Sequence, residues 1–187
     1  MKAKALAIVA HPDDETIWMG NELLKRKELD WTIFSLCRAS DKDRQPKFLR
    51  VCKFYGAEPI ISDLEDDNLE PIAIEKIIEI ISKHLKDNVY QLIFTHGDNG
   101  EYGHIRHKEV HLAVIKMIEI GALKAKKVFY FNYKKENGKC IAARDGIYSE
   151  LSSDDINEKK RIITELYGFS KGSFEEQTCG NEGFKQK

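Results

Sequence analysis

The chain holds no apolar run near the roughly 20 residues that a membrane-spanning helix requires. Its opening residues, Met1 to Lys4, lead straight into an apolar segment without a signal-peptide pattern. Both absences set the expectation of a cytoplasmic protein with no membrane contact. The four cysteines, Cys37, Cys52, Cys140 and Cys179, include no Cys-x-x-Cys pair, which argues against a structural zinc site built on thiolates and fits a reducing compartment. An excess of one charge sign is also missing. The formal net charge is -1, with acidic and basic residues interleaved, so there is no electrostatic footprint for nucleic acid. No Gly-x-Gly-x-x-Gly follows the first apolar run, which counts against a dinucleotide-binding turn. Neither an internal repeat nor a linker divides the 187 residues, a length that suits one domain over 1–187 with a proper core.

What is present begins with Ala5-Leu6-Ala7-Ile8-Val9, a continuous apolar run that reads as a strand buried on both faces. Helical spacing of Ile17, Trp18, Leu23 and Leu24 predicts a helix over about 15–27, and 31–37 reads as a second strand. Pro46 is placed to start a helix that Gly56 ends. A short strand over 58–62, an acidic loop over 63–70 and an isoleucine-rich amphipathic helix follow. Next come a strand over 89–95, a glycine-rich loop, a helix from His104 with Gly121 as its stop, and a fifth strand over 127–133. Asn137-Gly138 is a hairpin-type pair, so 139–144 is expected to add an antiparallel edge. A last helix is expected over 157–167, and the Gly-rich polar tail over about 168–187 is expected to be poorly ordered. Strands alternating with helices predict an α/β fold, a doubly wound, mostly parallel sheet (Rossmann-like) with helices on both faces. In the order 3-2-1-4-5, the loops after strands one and four face each other at the switch point, where such sheets bind ligands.

Those two loops carry five of the six histidines. The first is Ala10-His11-Pro12-Asp13-Asp14-Glu15; imidazole and carboxylate together suit Zn2+, although Asp13 and Asp14 would also serve as ordinary helix-start acids. The second runs from His96 to His111, with His104 and His107 three apart on one helical face. His107 and His111 stand four apart, but Lys108 occupies the place where a zincin needs Glu, so the metalloprotease reading is rejected. A catalytic zinc site needs three protein ligands and an open position, which His11, Asp14 and one downstream histidine complete. His111 reads as structural, His96 as either orienting the site or ending its strand, and His84 as a solvated helix-end residue. Trp18 and Tyr102 are candidates for stacking on a sugar ring, although Trp18, at helical spacing, reads more readily as core.

The first hexamer together with the Gly-Glu-x-Gly-His-x-x-His segment at 100–107 resembles the LmbE-like or PIG-L family of metal-dependent deacetylases, which remove acetyl from N-acetylglucosamine groups. The resemblance implies that His11, Asp14 and His107 are zinc ligands, with another divalent ion as an alternative. It makes Asp13 the general base and His104, protonated, the group that stabilises the oxyanion. Arg44 corresponds to a substrate-binding arginine and Asp66, or Asp67 in its place, to a sugar-contacting acid. Ile105-Arg106 departs from the family's frequent Pro-Asp. The implied partner is a small N-acetylated sugar; the sequence leaves the oligomeric state open, a homo-oligomer included. Two other functions fit the same residues: a metal-dependent hydrolase of another amide or a phosphoester, and a non-catalytic sugar- or nucleotide-binding module.

Overall fold

The computed structural model describes residues 2–187. Five parallel strands, β1 (Ala3–Val9), β2 (Leu29–Ser35), β3 (Glu58–Ile61), β4 (Val89–Thr95) and β5 (Lys124–Phe131), stand in the order β3-β2-β1-β4-β5. That is the doubly wound order the sequence predicts. β1 pairs with β2 on one side and with β4 on the other, so the chain reverses its winding beside β1. Alternate residues of β1 feed two cores: Ala5, Ala7 and Val9 face a cluster with Trp18, Phe48 and Tyr55. Leu6 and Ile8 face one with Ile77, Ile81, Val110 and Val114. Burial on both faces is why the strand has no polar alternation.

Helices α1 (Asp14–Lys25), α2 (Arg44–Tyr55), α3 (Ile74–His84), the single turn α4 (Gly100–Gly103) and α5 (Ile105–Glu119) fill the crossovers. Pro46 lies in the first turn of α2, and Gly56 closes that helix in the left-handed region at φ 74°. His84 closes its helix as expected but is half-buried: its Nδ1 lies 2.8 Å from the Ile80 carbonyl and its ring packs on Phe34. Among the described residues, no helix is long and apolar enough to cross a membrane.

The C-terminal third departs most from expectation. Asn137 and Gly138 do turn a hairpin, both at positive φ. Its strands β6 (Tyr133–Glu136) and β7 (Lys139–Ala142), however, form a separate two-stranded sheet instead of an edge of the main one. That edge is built by β8 (Ile147–Ser149) and β9 (Glu182–Gln186), with β9 antiparallel to β5. The last long helix starts earlier than expected: α6 (Ser153–Arg161), capped by Ser152, runs on as a π-helical turn, Ile162–Leu166.

The tail over 168–187 is therefore ordered, contrary to the expectation from its composition. It supplies α7 (Phe174–Thr178) and β9. Phe184 packs edge-on against Phe94 at 5.3 Å. Glu182 accepts from Lys159 Nζ at 2.8 Å with both side chains fully buried. At Gly183 a Cβ would meet the Asn132 carbonyl oxygen at 2.6 Å, so glycine there permits close strand approach rather than flexibility.

Candidate active site

β1 ends at Val9, and the chain must turn at once into α1. Asp13 makes that turn at φ 120°, a left-handed value costly for a side-chain-bearing residue. Its carbonyl receives the Thr16 and Ile17 N–H groups and so opens the helix. The strained turn aims the Asp13 and Asp14 carboxylates and the His11 ring together at the carboxyl end of the sheet. Across the switch point, His107 comes from α5.

Three donor atoms converge there. His11 Nδ1 lies 3.2 Å from His107 Nε2 and 3.4 Å from Asp14 Oδ2, while His107 Nε2 lies 3.5 Å from Asp14 Oδ2. Ligands about 2.0–2.1 Å from an ion at tetrahedral angles stand roughly 3.3 Å apart, so these three atoms fit one divalent cation without rearrangement. The electrostatics also call for positive charge. Burial opposes a proton on His11, yet Asp14 and Asp66 outweigh it and hold the imidazole up to about 10. The sequence-expected trio of His11, Asp14 and His107 is thus brought together.

Each donor is held from behind. Asp14 Oδ1 accepts from Trp18 Nε1 at 2.8 Å, and its Oδ2 accepts the His11 N–H at 2.8 Å. Trp18 is a buried core residue that orients Asp14. Glu101 takes Nδ1 of His107 and, at 2.8 Å, Nδ1 of His96. The Nδ1–H donation leaves His107 Nε2 with a free lone pair toward the other donors, the arrangement of a carboxylate–histidine–metal relay. His96 in turn accepts the Ala10 N–H at Nε2, 2.9 Å, so it ties β4 to the end of β1 and orients the site. His111, with Nδ1 2.8 Å from the His96 carbonyl oxygen, is structural.

Two other groupings of potential ligands do not suit an ion. In the first, the Nδ1 atoms of His96 and His107 are already spent on Glu101. In the second, Cys37 stands with His11 and Asp66, but burial and then Asp66 push its thiol far up and away from the thiolate a metal needs.

Glu101 is not a residue that the sequence singles out, although it lies in the Gly-Glu-x-Gly-His-x-x-His segment. Its position depends on a backbone turn at φ 57°, which no spacing rule reveals. We expect Glu101→Gln to weaken divalent-metal affinity about 10- to 100-fold while leaving the fold intact, as read by metal titration with circular dichroism as control.

Asp13 is not among the three donors. Burial and the adjacent Asp14 carboxylate hold it well above the usual carboxylate range, against the pull of Arg44 and His11. Arg44 Nη1 donates to Asp13 Oδ2 at 3.0 Å, and the guanidinium lies over the Phe169 ring at 4.1 Å. Arg44 therefore reaches the cleft, but its present partner is Asp13.

Two residues stand in surroundings that differ from expectation. His104 is not protonated: burial, His107 and His11 bring it down to about 4. Its Nδ1 accepts the Arg106 N–H at 3.3 Å, so the neutral ring carries its proton on Nε2. Asp66 does not line the main cleft. Its Oδ1 stands 3.1 Å from His11 Nε2 and its Oδ2 accepts from Arg38 at 2.8 Å. It backs His11 as Glu101 backs His107. Asp67 takes only a 3.4 Å contact from Arg38 and is largely exposed.

Glu15 sits behind this layer, accepting from Thr16, Tyr167 and the Asp13 N–H. Burial raises it from 4.5 to about 7. Because the folded value lies above the unfolded one, its contribution to stability is full below about 4.5 and is lost as pH rises through about 7. Glu15→Gln should flatten that decline, giving a higher unfolding midpoint than the parent protein at pH 8 and little change at pH 4.5.

The donors open onto a cleft of about 390 Å3 lined by Asp13, Trp18, Arg38, Arg44, Tyr102 and His104, among others, within the range of small-molecule sites. The sequence profile of the PIG-L family, described as GlcNAc-PI de-N-acetylase, matches residues 6–118, which includes all the donors and their backing carboxylates. An N-acetylglucosaminyl-phosphatidylinositol de-N-acetylase from Bos taurus is 26% identical over 124 residues, covering 60% of this chain and 49% of that protein. The chain spans about half the length of the curated relatives it matches. Among solved structures, the N,N'-diacetylchitobiose deacetylase of Pyrococcus horikoshii superposes with a TM-score of 0.72 at 14% identity, over 99% of this chain and 84% of that one. The 4-carboxy-2-hydroxymuconate hydratase of Pseudomonas putida shares the fold at a TM-score of 0.58 and 13% identity, covering 100% and 96%. At such identities these two likenesses speak for the fold alone. The sequence match covers more than half of the chain and contains both motifs at the switch point, and on that ground this protein belongs to the PIG-L family, whose LmbE-like fold it has.

Proposed function

We propose that this chain is a zinc-dependent N-deacetylase of an N-acetylglucosamine-type sugar or conjugate, acting as a single catalytic unit. The observation that carries the proposal is the convergence of His11 Nδ1, Asp14 Oδ2 and His107 Nε2 within 3.2 to 3.5 Å, with an unligated carboxylate, Asp13, beside them. Family membership and the bovine relative's name support an acetylated amino sugar as substrate.

His11, Asp14 and His107 would hold the ion. When bound, Zn2+ supplies Lewis-acid polarisation of the amide carbonyl and a water acidified from about 15.7 toward about 7. The protein's own groups do the rest. Asp13, kept basic by burial, accepts the proton of the attacking water and delivers it to the departing nitrogen as the C–N bond breaks, yielding acetate and a free amine. Arg44 fixes which way the Asp13 carboxylate points. The neutral His104 donates its Nε2–H to the carbonyl oxygen as negative charge builds there, a contact worth roughly 3 kcal/mol. A neutral imidazole serves this purpose, since the donor need only be aimed at the oxygen.

Acetate release from N-acetylglucosamine derivatives, followed before and after chelation and again after zinc is restored, tests the proposal. Chelator-sensitive release supports it. Phosphate release without acetate from phosphorylated sugars would replace it with a phosphoesterase.

A further inference from the structure

The cleft continues beyond the donors to a rim built partly from outside the family-matched region. Phe174 and Glu175, from α7, complete its wall. Phe174 packs against Tyr102 at 5.1 Å between ring centres, and with Ile17 and Trp18 it makes one side of the cleft apolar. The cleft also carries charged side chains, and their pairing is uneven. Arg38 is engaged by Asp66 at 2.8 Å and by Asp67 at 3.4 Å, and Arg44 by Asp13 at 3.0 Å. Asp41 spends only Oδ1, on the Asp43 and Arg44 N–H groups at 2.9 Å each. The Glu175 carboxylate has no ion pair or hydrogen bond among the described residues; only its backbone carbonyl is used, by Cys179. Both guanidinium groups of the cleft are thus already engaged, and both also lie near Asp41, whereas the Glu175 carboxylate at the rim has no cation paired with it among the described residues.

We infer that the cleft takes an N-acetylated amino sugar whose neighbouring group is uncharged or an ammonium, and disfavours one bearing a phosphate, with Glu175 as the specificity-determining residue. The inference rests on the deacetylase reading above and narrows its substrate class. A phosphate next to the sugar would meet the unpaired carboxylate of Glu175, and like charges brought together in a partly desolvated cleft repel. An uncharged ring meets the Phe174 and Tyr102 wall with its apolar face and offers hydroxyls to Glu175. A second amino group, protonated at neutral pH, is attracted to it.

The test compares a methyl glycoside of N-acetylglucosamine with N-acetylglucosamine 1-phosphate on the zinc-loaded parent protein and on Glu175→Lys and Glu175→Gln. Binding of glucosamine and glucosamine 1-phosphate is measured alongside by calorimetry. The parent should favour the uncharged compounds in both kcat/KM and Kd. Glu175→Lys should shift that preference toward the phosphate by on the order of tenfold, Glu175→Gln by less, and added salt should shrink the parent's preference, as for any exposed charge pair. A preference unchanged by Glu175→Lys, in turnover and in binding, overturns the inference. Failure of every variant to release acetate would instead overturn the deacetylase reading, and the binding ratios would still report whether Glu175 selects.

Discussion

Asp13→Asn is expected to lower kcat/KM by about a hundred- to ten-thousand-fold, the usual contribution of a positioned general base, with metal content unchanged. The two halves of that expectation come from different observations. Metal is retained because the donor trio excludes Asp13. Turnover is lost because Asp13 is the carboxylate beside the trio that faces the cleft, with burial raising its affinity for a proton. Asn is chosen over Ala because the residue sits at φ 120°, where Asn is better tolerated than most side chains, and because it keeps an acceptor for Arg44. Steady-state kinetics paired with elemental analysis decides the matter. Normal turnover would remove Asp13 from the mechanism, while lost metal would make it a ligand.

Arg106→Met should cost about 3–5 kcal/mol of stability, the penalty for leaving a buried charge without its partner. The Arg106 side chain has no solvent exposure; it donates to Glu109 Oε2 at 2.7 Å, to Glu65 Oε2 at 2.8 Å and to the Glu65 carbonyl at 2.6 Å. Glu109 also accepts the Ile72 N–H at 2.8 Å. The clamp therefore fastens the whole 65–72 segment to α5, and that segment carries Asp66 to the back of His11. Denaturant unfolding should show the loss, and metal titration a weaker site. Adding Glu109→Gln should recover part of the stability by removing the stranded charge. A loss under about 1 kcal/mol would mean that the clamp is dispensable, as most exposed ion pairs are.

Arg106 also shows where sequence reasoning stops. Its departure from the family's pattern was visible at once, but not its direction: the side chain turns away from His104 and into the protein. His104 is neutral for another reason, its burial beside His107 and His11, and neither effect is written in the spacing of the motif. Two members of the donor trio, with a histidine from the second loop, were readable because a doubly wound sheet puts the loops after β1 and β4 together and imidazole and carboxylate suit a metal; the choice of His107 among those histidines came from the family resemblance. The backing shell needed more. Glu101 reaches His96 and His107 through a positive-φ turn, Asp66 reaches His11 through a clamp anchored 40 residues downstream at Arg106, and Trp18 acts through its indole N–H. None of these follows from spacing along a helix or strand.

The same reasoning accounts for the C-terminal segment. A glycine-rich polar stretch reads as loose chain, because composition carries the cost of ordering but not the partner that offsets it. Here the partner is distant in sequence: β9 closes onto β5, and Glu182 meets Lys159 in the interior. The first five strands, by contrast, announce themselves through apolar runs whose burial needs no such partner to be named in advance.

The central claim is that His11, Asp14 and His107 form one divalent-metal seat. Zinc titration of metal-free protein, comparing the parent with His107→Ala, tests it most directly. The account predicts tight binding of one ion by the parent and its loss in His107→Ala without loss of fold. Equal affinity in the two proteins would contradict it, and would mean that the three convergent donors do not hold the metal.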